Sequence, residues 1–363
     1  MTSILILLLL ALVFVYINGF HDTANAIGTV VATRALSPRQ AIVLATLTNL
    51  AGALVGTAVA ETMSHNLVDA QFITVNTIIA ALVGAIVWDL LTWWRGLPTS
   101  SSHALVGGLC GAALAAAGGN WNEITWAVPT GTHWWQGNGI LFKVIIPMFV
   151  SPLLGFAAAY LVIGFLYLLL RNWSVARVDG VFGRLQILSG GYIGFAHGNN
   201  DAQKTIGVVL LALIAATKAG TFDNLPDWLS FLRCQEAAPG EGTPVGTWLK
   251  VACALALAAG TAAGGWRIIQ TMGRKITELK PIHGFAAETT AATVLTTAAF
   301  FGFPVSTTHT ITAAVGGVGA SRRFSALRLS VVKRILWAWL VTLPASALAA
   351  YLAMQIFRLC GMK

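Results

Sequence analysis

The sequence predicts an all-α polytopic membrane protein built from two inverted-topology repeats. Three observations carry that expectation. The 363 residues are 56% hydrophobic and only 10% charged, whereas soluble domains carry about 25% charged residues. About ten apolar stretches approach the ~20 residues that a helix needs to cross a bilayer. Two polar motifs also occur twice, in the same order. Gly19-Phe-His-Asp-Thr-Ala-Asn-Ala-Ile-Gly28 is echoed by Gly198-Asn-Asn-Asp-Ala-Gln-Lys-Thr-Ile-Gly207, which sets Asp22 on Asp201. Leu97-Pro-Thr-Ser-Ser-Ser-His103 is echoed by Phe303-Pro-Val-Ser-Thr-Thr-His309.

The first repeat is expected over residues 1–170. It opens with segment 3–33. The run from Ile4 to Phe20 has no basic leader and no small-residue cleavage site, so it reads as a retained helix rather than a signal peptide. Segment 40–60 follows. Segments 73–95 and 98–118 are hinged at Pro98, and segment 140–170 closes the repeat. The second repeat, 171–363, follows the same plan with segments 185–217, 246–266, 284–302, 304–320 (the last two hinged at Pro304) and 335–356. As single helices, 3–33 and 185–217 would each be about 45–50 Å long, too long for a ~30 Å core unless tilted or broken. Gly19, and Gly190 with Gly191, Gly194 and Gly198, are the expected breaks. The arms within 73–118 and 284–320 either form re-entrant hairpins with tips at mid-membrane or cross completely. A site shared between the tips favours hairpins.

Loop charge sets orientation. Loops 34–39, 171–184, 267–282 and 321–334 carry clustered Arg and Lys, among them Arg34, Arg177, Arg274, Lys275, Arg322 and Arg323, and read as cytoplasmic. Loops 61–72 and 119–139 contain no Lys or Arg, and loop 218–244 holds two basic against four acidic residues; these read as external. Both termini then fall outside, and the two copies of each motif point in opposite directions. Such repeats, with polar interruptions at membrane depth, are the sequence mark of a secondary transporter. The net charge of +9 is explained by basic cytoplasmic loops and calls for no nucleic acid partner. The four cysteines have no CxxC spacing, so neither a disulfide framework nor a thiolate metal site is indicated.

A charge at mid-bilayer costs at least ~2.5–3.5 kcal/mol, which makes Asp22 and Asp201 candidate functional residues. Asn25, Asn199, Asn200 and Gln203 add neutral amide oxygens, and carboxylate plus amide oxygen is a hard-cation environment. Lys204 either neutralises Asp201 or faces an anion. His21 and His197 flank the motifs as proton carriers or as packing residues. In the second motif pair, Pro98 and Pro304 precede the hydroxyl runs Thr99–Ser102 and Ser306–Thr308. Pro followed by Ser/Thr reads as a helix start, and a helix N-terminus offers free N–H groups that suit an oxyanion. Ser100, Ser101, Ser102, Ser306, Thr307, Thr308 and Asn25 are therefore the expected anion ligands. Asp22, Asn25, Asn200, Asp201, Gln203, Glu61 and Glu288 are the expected cation-coupling residues. His103 and His309 are expected to brace the tips, and Asp89 is expected near a cytoplasmic end or in a hairpin arm. An anion beside two aspartates would be repelled by about 4 kcal/mol per pair at 4 Å. Cations must therefore intervene, which implies cation-coupled anion transport.

These motifs as a set resemble the PiT inorganic phosphate transporters, over about residues 10–350. The stretches Asn18-Gly-Phe-His-Asp-Thr-Ala-Asn25 and Trp88-Asp-Leu-Leu-Thr-Trp93 are most similar to the bacterial low-affinity type. The resemblance implies an inner-membrane phosphate symporter, with Asp22, Asn25, Asp201, Ser101, Ser102, Thr307 and Thr308 lining the central site. Glu61 and Glu288 match acids that the family uses in transport. It further implies no resident cofactor, a coupling cation (a proton, or sodium in other members), phosphate carried as a neutral divalent metal complex in bacterial members, and a homodimer. The chain departs from the pattern in its short 218–244 loop and in Asn199, where alanine is usual. Two competing readings remain at this point: a transporter of sulfate or another oxyanion, and an intramembrane aspartyl protease in which the two aspartates share a proton.

Overall fold

The structure is a computed structural model and describes residues 1–65, 73–129, 137–234, 244–271, 277–322 and 327–361. Among the described residues it holds twelve α-helices and one two-residue β-ribbon, Val128–Pro129 with Gly137–Asn138. Arg274, Lys275, Arg323, Glu236 and Glu241, on which part of the orientation argument rests, lie outside the described residues.

Helix α1 (Thr2–Ala32) carries the first carboxylate motif. It is followed by α2 (Pro38–Ala53) and the short α3 (Ala58–His65), bent from α2 by 67°. Helix α2 starts cleanly because Pro38 fits the first turn and Ser37 forms a capping box with Gln40. Helices α4 (Val75–Arg95) and α5 (Ser101–Ala116) form a hairpin, with Gly96 ending α4 in the left-handed conformation at φ 63°. A π-helical turn at Leu141–Ile145 leads into α6 (Ile146–Leu169). The same order then recurs: long α7 (Val175–Lys218), the pair α8 (Thr247–Ala263) and α9 (Trp266–Gln270), the hairpin α10 (Pro281–Phe300) and α11 (Thr307–Arg322), and α12 (Leu329–Leu359).

The ten expected segments all fall on helices, but their character differs from expectation. Four are long and apolar enough to cross a membrane: α1, α4, Leu141–Leu169 and α12. The bent pair α2–α3 would make a fifth. The rest are too short or too polar, because helices that line the interior give their faces to the polar motifs. The surface is the apolar part: Leu153, Leu161, Phe165 and Leu168 on α6 and Trp337, Leu348 and Ile356 on α12 are exposed. The buried set instead includes Asp22, Asp201, Glu288, Lys204 and many Ser and Thr. Polar groups inside and Leu or Phe outside is the arrangement that a hydrocarbon solvent demands.

The expected helix breaks are not found: α1 and α7 each run unbroken through their glycines. The glycines serve close approach instead. A Cβ on Gly19 would lie 2.4 Å from the Leu257 carbonyl oxygen of α8, and one on Gly260 would lie 2.0 Å from the Tyr16 carbonyl oxygen of α1. At the corresponding crossing, a Cβ on Gly198 would lie 2.2 Å from the Asn49 oxygen and one on Gly52 2.0 Å from the Phe195 oxygen. The true interruptions are the turns between α2 and α3 and between α8 and α9, the latter at Gly264 with φ 73°.

Packing pairs the two halves reciprocally. Helix α1 packs on α8 and α4, and α7 on α2 and α10. Helix α12 packs on the α4–α5 hairpin, and α6 on the α10–α11 hairpin.

Candidate functional site

The α1–α8 and α7–α2 crossings hold the carboxylate motifs side by side in the interior, where Asp22 and Asp201 are 2% and 3% exposed. One atom each from Asp22, His197 and Asp201 lie within 4.8 Å of one another. His21 Nδ1 is 3.0 Å from Asp22 Oδ1, and its Nε2 is 3.2 Å from Thr92 Oγ1 of α4. His197 Nε2 is 3.1 Å from Asp201 Oδ2, while its Nδ1 meets Asn49 Oδ1 at 2.7 Å. Asn18 donates to Asp201 at 3.4 Å. The histidines thus orient the carboxylates, contacts that the sequence left open.

The hairpin tips converge on the same point. Ser100 and Ser306 accept bonds from the backbone N–H groups of His103 and His309, at 3.2 Å each, and so cap α5 and α11. The helices begin at Ser101 and Thr307, so Pro98 and Pro304 stand before the caps rather than inside the first turn. Thr307 donates to Asp201 Oδ2 at 3.3 Å and Thr308 to Asp22 Oδ1 at 3.2 Å. Asn25 Nδ2 in turn donates to Thr307 and Thr308 at 3.4 and 2.9 Å. Ser102 accepts from Lys204 at 2.7 Å. The rings of His103 and His309 meet edge-on at 4.7 Å, and His309 stacks on Trp339, whose N–H caps the Pro98 carbonyl at 3.0 Å.

Two amides that bond into this cluster through their nitrogens, Asn18 and Asn25, leave their buried oxygens without a hydrogen-bond partner among the described residues, and both amide atoms of buried Asn200 are likewise unpaired. Buried polar groups in folded proteins are almost always paired. The free amide oxygens of Asn18 and Asn25 beside two carboxylates form a donor set for a hard cation. The first-turn N–H groups of α5 and α11 that the Ser100 and Ser306 caps leave free form one for an oxyanion.

Three expected coupling residues are not brought to this cluster. Gln203 is committed elsewhere: its amide donates to Asn199 Oδ1 at 2.6 Å and to the Val55 carbonyl, and its oxygen accepts from Val59 N–H at 3.0 Å. It stitches the α2–α3 bend, because that turn leaves backbone groups bare. Glu61 is half-buried on α3, with Thr57 Oγ1 3.4 Å away. Glu288 is fully buried two turns along α1 from Asp22, in a pocket that the sequence did not disclose. It accepts from Thr29 at 2.5 Å, Gln186 at 2.9 Å and Ser189 at 2.5 Å. We expect Glu288→Ala to lower the thermal unfolding midpoint more than Glu288→Gln. The alanine strands three buried polar groups, at roughly 1–3 kcal/mol each, while the glutamine oxygen keeps an acceptor for them. Equal midpoints for the two variants would refute the hydrogen-bonded role.

Residues 18–350 match the phosphate transporter family. A "Probable low-affinity inorganic phosphate transporter" of Bacillus subtilis (strain 168) is 37% identical over 98% of this chain and 97% of its own length. The protein of the same name from Rhizobium meliloti (strain 1021) is 41% identical over 95% of this chain and 94% of its own. In structure the chain is similar to a protein titled "The sodium-dependent phosphate transporter", with a TM-score of 0.81, 23% identity, and coverage of 99% of this chain and 100% of that one.

Proposed function

The chain belongs to the phosphate transporter family, and from that premise we propose that it moves inorganic phosphate across the membrane by cation-coupled symport with alternating access. Membership makes it a transporter and not an enzyme, so the protease reading falls away. The observation that carries the proposal is the pair of bonds from one helix N-terminus to both carboxylates, Thr308 to Asp22 and Thr307 to Asp201. An anion seated on the first turns of α5 and α11 would therefore lie next to two carboxylates, of which Asp201 is paired with the Lys204 ammonium and Asp22 has no Lys or Arg partner among the described residues. Like charges at such range repel by about 4 kcal/mol at an effective dielectric of 20. A cation held by Asp22 and the free amide oxygens of Asn18 and Asn25 would offset this, so the anion enters only with its cation.

The reciprocal packing supports an inverted repeat. If α1 with α4 and α8 is related to α7 with α10 and α2 by a pseudo-twofold axis, the site lies at the repeat interface and opens to either side by rocking of one half. We propose protons as the coupling ion and the plasma membrane as the place. Uptake of labelled phosphate into proteoliposomes, under separately imposed proton and sodium gradients and with or without magnesium, tests each of these choices. We expect a proton gradient to drive uptake. Uptake that responds to sodium alone would replace proton with sodium coupling.

Competition addresses the anion. Arsenate is expected to block uptake and sulfate to have little effect, since protonated phosphate and arsenate carry a hydroxyl donor that a carboxylate accepts. Sulfate lacks that donor, and sites built to bond a hydroxyl reject analogues without it by large factors. Strong block by sulfate would sink the phosphate assignment.

A further inference from the structure

The two carboxylate motifs are equivalent in sequence but not in charge. Superposing Asp22 on Asp201 places Asn25 on Lys204. Both side chains reach from their own helix to a hairpin tip. Asn25 donates to Thr307 and Thr308 of α11. Lys204 donates to Ser102 of α5 at 2.7 Å, to the Val305 carbonyl at 2.6 Å and to Asp201 Oδ1 at 2.6 Å. Lys204 is 2% exposed. An ammonium group has three N–H donors, and here each one has an acceptor. The charged groups around it are Asp201, His197 on the same carboxylate, and Asp22 nearby.

The three acceptors are a carboxylate, a hydroxyl and a backbone carbonyl oxygen. All lie within 2.7 Å of one point, and all are ligand types that hard metal cations choose. At the first motif the corresponding residue is a neutral amide whose oxygen is unpaired among the described residues. We propose that Lys204 is a tethered cation standing in the cation position of the second motif, so that only the first motif takes up a coupling cation from solution. This rests on the cation-coupled reading above. Because the ammonium stays with the protein, it neutralises Asp201 in every step of the cycle without being carried across. It also holds both hairpin tips to α7, since Ser102 and Val305 lie on different hairpins.

The test is Lys204→Asn, which gives the second motif the residue of the first. Phosphate uptake is measured with purified full-length protein in proteoliposomes, in choline and in sodium buffers. Thermal unfolding of the same protein is followed against sodium concentration. We expect sodium to stimulate the variant at least ~tenfold more than the wild type, within the range of ordinary coupling free energies. Sodium should also raise the variant's unfolding midpoint and leave the wild type's less affected. A variant as active as the wild type in choline, or one that sodium neither activates nor stabilises, would overturn the proposal. Absence of phosphate uptake by the wild type under every gradient would count against the transport reading instead. The sodium-dependent midpoint would still report on Lys204.

Discussion

Asp22→Asn is expected to abolish phosphate uptake while leaving the protein folded. Asparagine keeps the size of the side chain and one oxygen for the Thr308 bond, so the tip of α11 stays attached to α1. What is lost is the charge. At an effective dielectric of 20, a cation about 4 Å from a carboxylate gains about 4 kcal/mol. Removing that attraction weakens binding by roughly a thousandfold, at 1.4 kcal/mol per factor of ten. Asp201→Asn is expected to stop uptake as well, with an added effect on folding. It leaves the buried ammonium of Lys204 and the ring of His197 without their carboxylate, and breaking a buried pair on one side costs about 3–5 kcal/mol. The check is initial uptake rate together with the unfolding midpoint. Uptake above a tenth of wild type in Asp22→Asn would remove this residue from the coupling site.

The second large effect is expected at the helix crossings. Gly52→Ala and Gly260→Ala each place a methyl group 2.0 Å from a backbone carbonyl oxygen, on Phe195 and Tyr16 respectively. A carbonyl inside a helix cannot rotate away as a flexible side chain can. The two helices must separate, and α7 or α1 moves with its carboxylate. Overpacking of this kind costs about 1–3 kcal/mol or more. A lower unfolding midpoint and loss of uptake are expected together. Gly164→Ala on α6 is the control: a Cβ there meets nothing within 4 Å, and alanine is the better helix former by up to ~1 kcal/mol. If Gly52→Ala and Gly164→Ala unfold at the same temperature, the crossings are looser than described.

Doubling is what made the site legible in the sequence. A lone aspartate or a lone Pro-x-Ser-Ser-Ser could belong to any helix end, but two copies in the same order placed Asp22, Asp201 and the tip hydroxyls in one cluster, where the fold brings them. The glycines misled because sequence alone cannot separate a glycine that bends a helix from one that admits a neighbour. Gly19 and Gly198 do the second. Gln203 misled because an amide two residues from a buried carboxylate points to another face of the helix, and the α2–α3 bend, unseen in the sequence, claimed it. The setting of Glu288 was hidden for another reason. Thr29, Gln186 and Ser189 come from two other helices far apart in the chain, and nothing in their local sequence points to a carboxylate.

The reciprocal packing of α6 and α12 bears on how the protein is made. Helix α6 finds its main packing partners among the described residues on the second hairpin, and α11 begins at Thr307, long after α6 ends at Leu169. At about 5–20 residues per second, that interval is on the order of ten seconds of synthesis. During it, α6 must rest in lipid with its partner face bare, and α5 likewise awaits α12. The nascent first half is thus an open form that closes only when the last helix is delivered. A chain truncated before α12 should be a substrate for membrane quality control, and the two halves expressed as separate polypeptides should complement one another.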